Sequence, residues 1–290
     1  MAMPNPIRIV QLCYVRLGTD DLEASARFAT EIVGLQRGEG RGGDVVFRSD
    51  ARAHTLALST ERGASLGVEL EDEAALEAAA GALEQTGYGC REASAAECER
   101  RFVRRALICA IGEGLAVDLV LRPAVSGRRY FGSRDAAITG LACVGLRSTD
   151  LARDTALWTA LLGAAVSDRA GEVTYLGFDD AHHRIVLYPA ARPGIVYVTY
   201  AVESFDAVMQ SHYFLQEHQV RVLHGPGREA ASGQVFVRFQ GPGGQIFAYG
   251  YGMATIDGGR HRARQFAAEP GSLCAWGSTS EVPELAGAAG

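Results

Sequence analysis

Short apolar runs with period two alternate along this chain with longer stretches whose apolar positions recur every three to four residues, and the order of these segments repeats. Tyr14-Val-Arg-Leu-Gly-Thr-Asp-Asp21-Leu22 returns 129 residues later as Cys143-Val-Gly-Leu-Arg-Ser-Thr-Asp150-Leu151, and Gly34 maps onto Gly163. Each copy predicts a strand, an Asp at a helix N-cap, an amphipathic helix and a closing glycine. In the first half, strands are predicted over residues 44–47, 55–59 and 66–70, then an Ala-rich helix over 73–86 with Gly87 at its C-cap. In the second half, strands over 173–178, 184–188 and 196–202 precede a helix over 204–218. A turn and a last strand close each half, over residues 112–118 and 241–248.

The pattern predicts an α+β chain of four strand-helix-strand-strand-strand units, two per half, each half a mixed sheet curled around a cavity. Strand alternation sends every second side chain into that cavity, which makes the interior the place to look for chemistry. Residues 1–124 form the first predicted domain, 125–137 a polar linker, 138–278 the second domain, and 279–290 a loose Gly/Ala-rich tail. Gly225-Pro-Gly227 and Gly241-Pro-Gly-Gly244 read as tight turns between strands; no helix N-terminus follows to make them phosphate cradles.

Composition narrows the function class. With 48% hydrophobic and 21% charged residues the chain has the make-up of a globular protein. A net charge of -6 without Lys/Arg clusters argues against nucleic acid as a partner. No run reaches the ~20 apolar residues of a membrane span, and no signal-peptide order is present, so a cytoplasmic location is expected. Six scattered cysteines (Cys13, Cys90, Cys98, Cys109, Cys143, Cys274) form no metal-type pairing and are expected as buried apolar fillers, Cys143 being the exception by position.

Several stretches together carry a resemblance: Tyr14-Val-Arg-Leu with Asp21-Leu22, Phe47-Arg-Ser-Asp50 with His54, His182-His183, His224-Gly-Pro-Gly-Arg228, Tyr249-Gly-Tyr-Gly252 and Trp276-Gly277. In this order and spacing the chain resembles the vicinal oxygen chelate superfamily, and within it the two-domain type I extradiol dioxygenases, from about Gln11 to Gly277. The resemblance implies two tandem domains, an aromatic small-molecule partner, a homo-oligomer, and iron held in the second domain by two His and a Glu. At those three positions this chain has Cys143, Tyr197 and Ala248. The matching positions of the first half are Tyr14, Ser65 and Asp118, so no site is expected there. The family's further pocket groups fall on Glu229, Ser232 and Arg238, and its acid/base His on the His182-His183 pair, with His183 facing the cavity and His182 on the opposite face of the strand.

These departures predict no metal and no other cofactor. Candidate catalytic residues are His183, Tyr197 and Glu229; candidate substrate contacts are Cys143, His182, Arg238 and Ala248. Each has a plainer reading. His183 serves either as acid/base or as a packing histidine; Cys143 is a nucleophile if His183 or Arg238 favours its thiolate, otherwise filler. Tyr197 holds a substrate hydroxyl or plugs the former ion site. Glu229 and Arg238 either pair at the cavity mouth or leave Arg238 free to clamp a carboxylate. Three functions follow: metal-independent acid/base chemistry on a phenolic or ring-cleaved compound, iron-dependent ring cleavage with displaced ligands, or binding without catalysis.

Overall fold

The computed structural model describes residues 7–86, 88–257 and 260–287. The expected C-cap at Gly87 lies outside them. The first half supplies β1 (Ile9–Gly18), α1 (Leu22–Arg27), β2 (Gln36–Arg37), β3 (Val45–Arg48), β4 (Leu56–Ser59), β5 (Ala64–Leu70), α2 (Glu73–Gln85), β6 (Cys90–Glu92), α3 (Ala95–Arg101), β7 (Arg105–Gly112) and β8 (Leu115–Leu121). The second repeats the plan with β9 (Ile138–Ser148), α4 (Leu151–Ala156), β10 (Ala165–Ala170), β11 (Val173–Gly177), β12 (Ile185–Pro189), β13 (Gly194–Val202), α5 (Phe205–Glu217), β14 (Val222–Arg228), β15 (Val235–Gln240) and β16 (Ile246–Tyr251). It then adds β17 (Arg264–Phe266) and a short α6 (Pro270–Leu273).

Two mixed sheets result. Their strand orders are β2-β3-β4-β1-β5-β8-β7-β6 and β14-β15-β16-β13-β9-β12-β11-β10-β17. The opening strands β1 and β9 lie centrally and pair antiparallel with β5 and β13, so the two modules of each half meet along them. The Asp caps act as the repeat predicts: Asp21 accepts from the Ala24 amide and Asp150 from the Arg153 amide. Both helices widen into a π turn and stop at Gly34 and Gly163, whose positive φ suits glycine. The halves share one apolar core, and Tyr249 Oη reaches the Ile32 and Val33 carbonyls at 3.0 Å across the junction.

Three expectations need correction, and one helix was not predicted. Gly225–Pro226 is a cis peptide inside β14, where the register with β15 shifts, and is not a turn between strands; Gly241–Gly244 does turn, linking β15 to β16. Cys90 and Cys109 are not independent fillers, since they are disulfide-paired across β6 and β7; the other four cysteines are free and buried. Residues 279–287 are not loose: Leu285 is buried, Glu284 pairs with Arg147 and Glu281 with Arg221. Helix α3 was also missed, although Ser94 and Glu97 form a capping box that announces it.

Candidate functional site in the second half

Register brings the predicted residues together. Cys143 lies opposite Thr199, Thr199 beside Ala248, and Ala248 opposite Arg238, one row across β9, β13, β16 and β15. Tyr197, two residues from Thr199 on the same face, lies opposite Gly145. A Cβ on Gly145 would stand 2.7 Å from the Tyr197 ring, so that glycine is what lets the ring lie flat in the interior. Tyr197 Oη meets Tyr188 Oη at 3.0 Å, and the Arg238 guanidinium sits 4.5 Å from the Tyr197 ring centre and 3.9 Å from that of Phe236.

Arg238 is 3% exposed and its partner Glu229 1%, with 2.7 Å between Nη2 and Oε1. The pair is internal, not at the cavity mouth. Ser232 donates to Glu229 at 2.6 Å, and Arg238 Nη1 lies 3.1 Å from His224 Nδ1. Burial pushes the Glu229 carboxyl up, but His183, Arg238 and the Ser232 hydroxyl outweigh it and hold the group below its ordinary value.

The two histidines precede β12 in a loop and are both fully buried in contact with each other, which corrects the placement of His182 on an opposite face. His182 Nε2 is 2.8 Å from Asp168 Oδ2, and the two Nδ1 atoms are 3.1 Å apart. The network assigns the protons. Asp168 only accepts, so His182 carries its hydrogen on Nε2, and burial keeps His182 neutral against the pull of Asp168. Its Nδ1 lone pair then accepts from His183, which leaves His183 Nε2 as a bare lone pair. That atom has no hydrogen-bond partner and lies 3.8 Å from Glu229 Oε2. Burial lowers the His183 pKa to about 4, so the ring is neutral at pH 7.

Burial also raises the Cys143 thiol to about 12 and the Tyr197 phenol well above its usual value. Cys143 is a thiol beside Thr199, not a thiolate, which removes the premise of the nucleophile reading. An ion held by residues 143, 197 and 248 would meet a protonated thiol, a protonated phenol, a methyl group and an adjacent guanidinium. The residues present do not fit it. Asp168, His182 and His261 are close enough to hold a cation, with ligand atoms within 4.8 Å, but Arg264 already bonds Asp168 and His261 Nε2 is taken by the Ser167 carbonyl.

Residues 264–286 close this interior from one side. β17 pairs with β10, and Leu273 and Leu285 are buried in the apolar cluster that holds Cys143, Tyr175, Tyr188 and Tyr197. Ser278 accepts from the Gly225 amide and from His224. Between this segment and strands β10–β12 lies a cleft of about 660 Å3, lined by Ala170, Val173, Ala190 and Leu273 and flanked by Glu172 and Glu269. The sequence reading missed Asp168, Tyr188 and this segment, since nothing local marks a partner supplied from a distant strand.

Residues 140–249 match the model of the Glyoxalase/Bleomycin resistance protein/Dioxygenase superfamily. They form a domain of that superfamily. The biphenyl-2,3-diol 1,2-dioxygenase of Pseudomonas sp. strain KKS102 is 28% identical over 197 residues, 62% of this chain and 67% of that protein. Among solved structures, the superfamily domain and the half before it together overlay a halotolerant catechol dioxygenase with TM-score 0.86 at 18% identity, covering 97% of this chain and 98% of that one. They also overlay the Mn(II)-bound glyoxalase of Novosphingobium aromaticivorans with TM-score 0.85 at 21% identity, covering 96% and 94%. The fold is that of the tandem-domain extradiol dioxygenases.

Proposed function

We propose that this chain is a metal-independent, non-catalytic relative of the extradiol dioxygenases that binds a phenolic compound in the second half. One observation carries the reading: the row where the fold would hold an ion is filled by Tyr197 and the Arg238–Glu229 pair, all 3% exposed or less, with Tyr197 bonded to Tyr188 and Arg238 to Glu229 and His224, so that of these groups only Arg238 Nε is left unpaired. Polar groups that satisfy each other leave little for a substrate. The ligand-sized space is instead the 660 Å3 cleft under the C-terminal segment, whose apolar wall suits an aromatic ring and whose carboxylates, Glu172 and Glu269, suit its hydroxyls.

A second reading has its own support. The bare Nε2 of His183, backed by His182 and Asp168, is the arrangement of a base, and it would act as one if residues 264–286 opened to admit a substrate. Biphenyl-2,3-diol with ferrous iron under air separates the readings. The first expects saturable binding, no yellow ring-fission product, and no effect of a chelator. Ring-fission product, or one tightly held equivalent of iron, overturns it. Turnover of a phenolic compound without metal, abolished by His183→Ala, supports the second.

A further inference from the structure

The first half contains a cleft beside β1 and β5, and the register shows how its interior differs from that of the second half. Arg16 faces Ser65 across β1 and β5, and Gly145 faces Tyr197 across the equivalent β9 and β13. Large and small are exchanged. Where the Tyr197 ring fills the second interior, Ser65 leaves a space of about 320 Å3, lined by Arg16, Ser65, Arg100 and Arg101 and by the apolar Leu17 and Leu115.

Charge in this cleft is ordered by depth. Asp44 and Asp118 have fully buried side chains. Asp44 accepts from Arg16 Nη2 and Arg100 Nη2, each at 2.7 Å; Asp118 Oδ2 accepts from Arg101 Nε at 2.8 Å and from the Tyr14 and Ser65 hydroxyls at 3.0 Å. Three guanidiniums thus stand over two buried carboxylates. Glu61 also pairs with Arg100, but its side chain is 69% exposed and solvent weakens its contribution. Glu97, at the wall, is engaged by Arg91 and Ser94. One atom of the lining, Arg16 Nη1, is buried without a partner, and Arg16 is only 9% exposed; Asp118 Oδ1, behind the lining, has none either. Buried donors and acceptors are rarely left so, and a surplus of one guanidinium matches one negative charge.

We infer that this cleft binds a small organic monocarboxylate, its anionic end held by Arg16 and Arg101 and its apolar body against Leu17 and Leu115. The inference is independent of how the second half functions. Planar forked donors favour a carboxylate over a neutral isostere, and the apolar wall favours an organic acid over inorganic phosphate.

Calorimetric titration of the full chain with benzoate tests it. One saturable site is expected, with benzamide binding at least tenfold more weakly and phosphate failing to compete. Arg16→Met should weaken benzoate at least tenfold; Arg100 still neutralises Asp44 in that variant. Ser65→Phe, which fills the space as Tyr197 does opposite, should abolish binding, and it decides the matter if the first variant does not fold. Absence of saturable benzoate binding, equal affinity for benzamide, tighter binding of phosphate, or an affinity unchanged by Ser65→Phe would overturn the inference.

Discussion

Replacing Arg238 by Met removes the charge at the centre of the second half while keeping an unbranched apolar side chain between the Tyr197 and Phe236 rings. Glu229, 1% exposed, is then left with the Ser232 hydroxyl and neutral His183. Breaking one side of a buried ion pair costs about 3–5 kcal/mol, because the remaining charge is desolvated and uncompensated. For a unit of this size that corresponds to a fall in melting temperature of roughly 10 °C. The sign of the pH dependence follows. In the native chain Glu229 is held below its ordinary pKa, so it contributes stability above the unfolded value that is lost as pH falls through the folded one. In the Met variant the permanent cation is gone and His183, neutral above about 4, adds no charge, so the carboxyl moves up, and its penalty exists only above the unfolded value of about 4.3. The deficit of the variant should therefore be largest near pH 7 and shrink toward pH 4. Arg238→Met/Glu229→Gln should recover at least half of it. Differential scanning calorimetry of the three proteins measures this. A deficit under about 1 kcal/mol, or a double variant no better than the single, would refute the reasoning that this pair is a buried charge couple.

Other consequences follow from the same geometry. Restoring donors by Cys143→His, Tyr197→His and Ala248→Glu should not confer ferrous iron binding while Arg238 remains, and adding Arg238→Tyr should; metal analysis after gel filtration reads this out, and iron bound by the triple variant contradicts it. Gly145→Ala should cost ~1–3 kcal/mol by forcing its Cβ into the Tyr197 ring, and much less in a Tyr197→Ser background; equal costs in urea melts would show the ring is not the obstacle. Burial lowers His54 to about 3 and His183 and His224 to about 4, so each must stay neutral to remain folded and each takes up a proton on unfolding below its ordinary value near 6.5. Stability should thus decline as pH falls from 6.5 toward 4, by roughly 4 kcal/mol per pH unit at its steepest for three protons. Urea midpoints that stay level over that range would count against buried neutral histidines.

Much of the scaffold is legible along the chain because its signals are local. Asp21, Asp150 and Ser204 stand one residue before α1, α4 and α5 and accept the amide bonds that their type predicts, and Gly34 and Gly163 supply positive φ where the first helices end. The repeat then orders the strands. The site is legible only as a set of positions: residues 143, 197, 238 and 248 do share one interior face, but what each side chain does depends on partners from other strands. Tyr188 on β12 and Asp168 on β10 fix Tyr197 and His182, and no spacing announces either. Helix pattern also fails at α3, whose seven residues are too few to show a period, although its capping box was there to be read. The packing of residues 281–287 escaped notice because a Gly/Ala-rich stretch with one Leu looks solvated until Leu285 is seen to enter a cluster built elsewhere.

The guanidinium of Arg238 has a consequence for how such a barrel survives. A ferrous ion exchanges with the medium, is lost when iron is scarce, and changes its oxidation state when dioxygen reaches it. A charge bonded covalently to β15 does none of these. On the reading proposed above, this half would carry its central cation from the moment of translation, in a form that neither iron supply nor dioxygen alters.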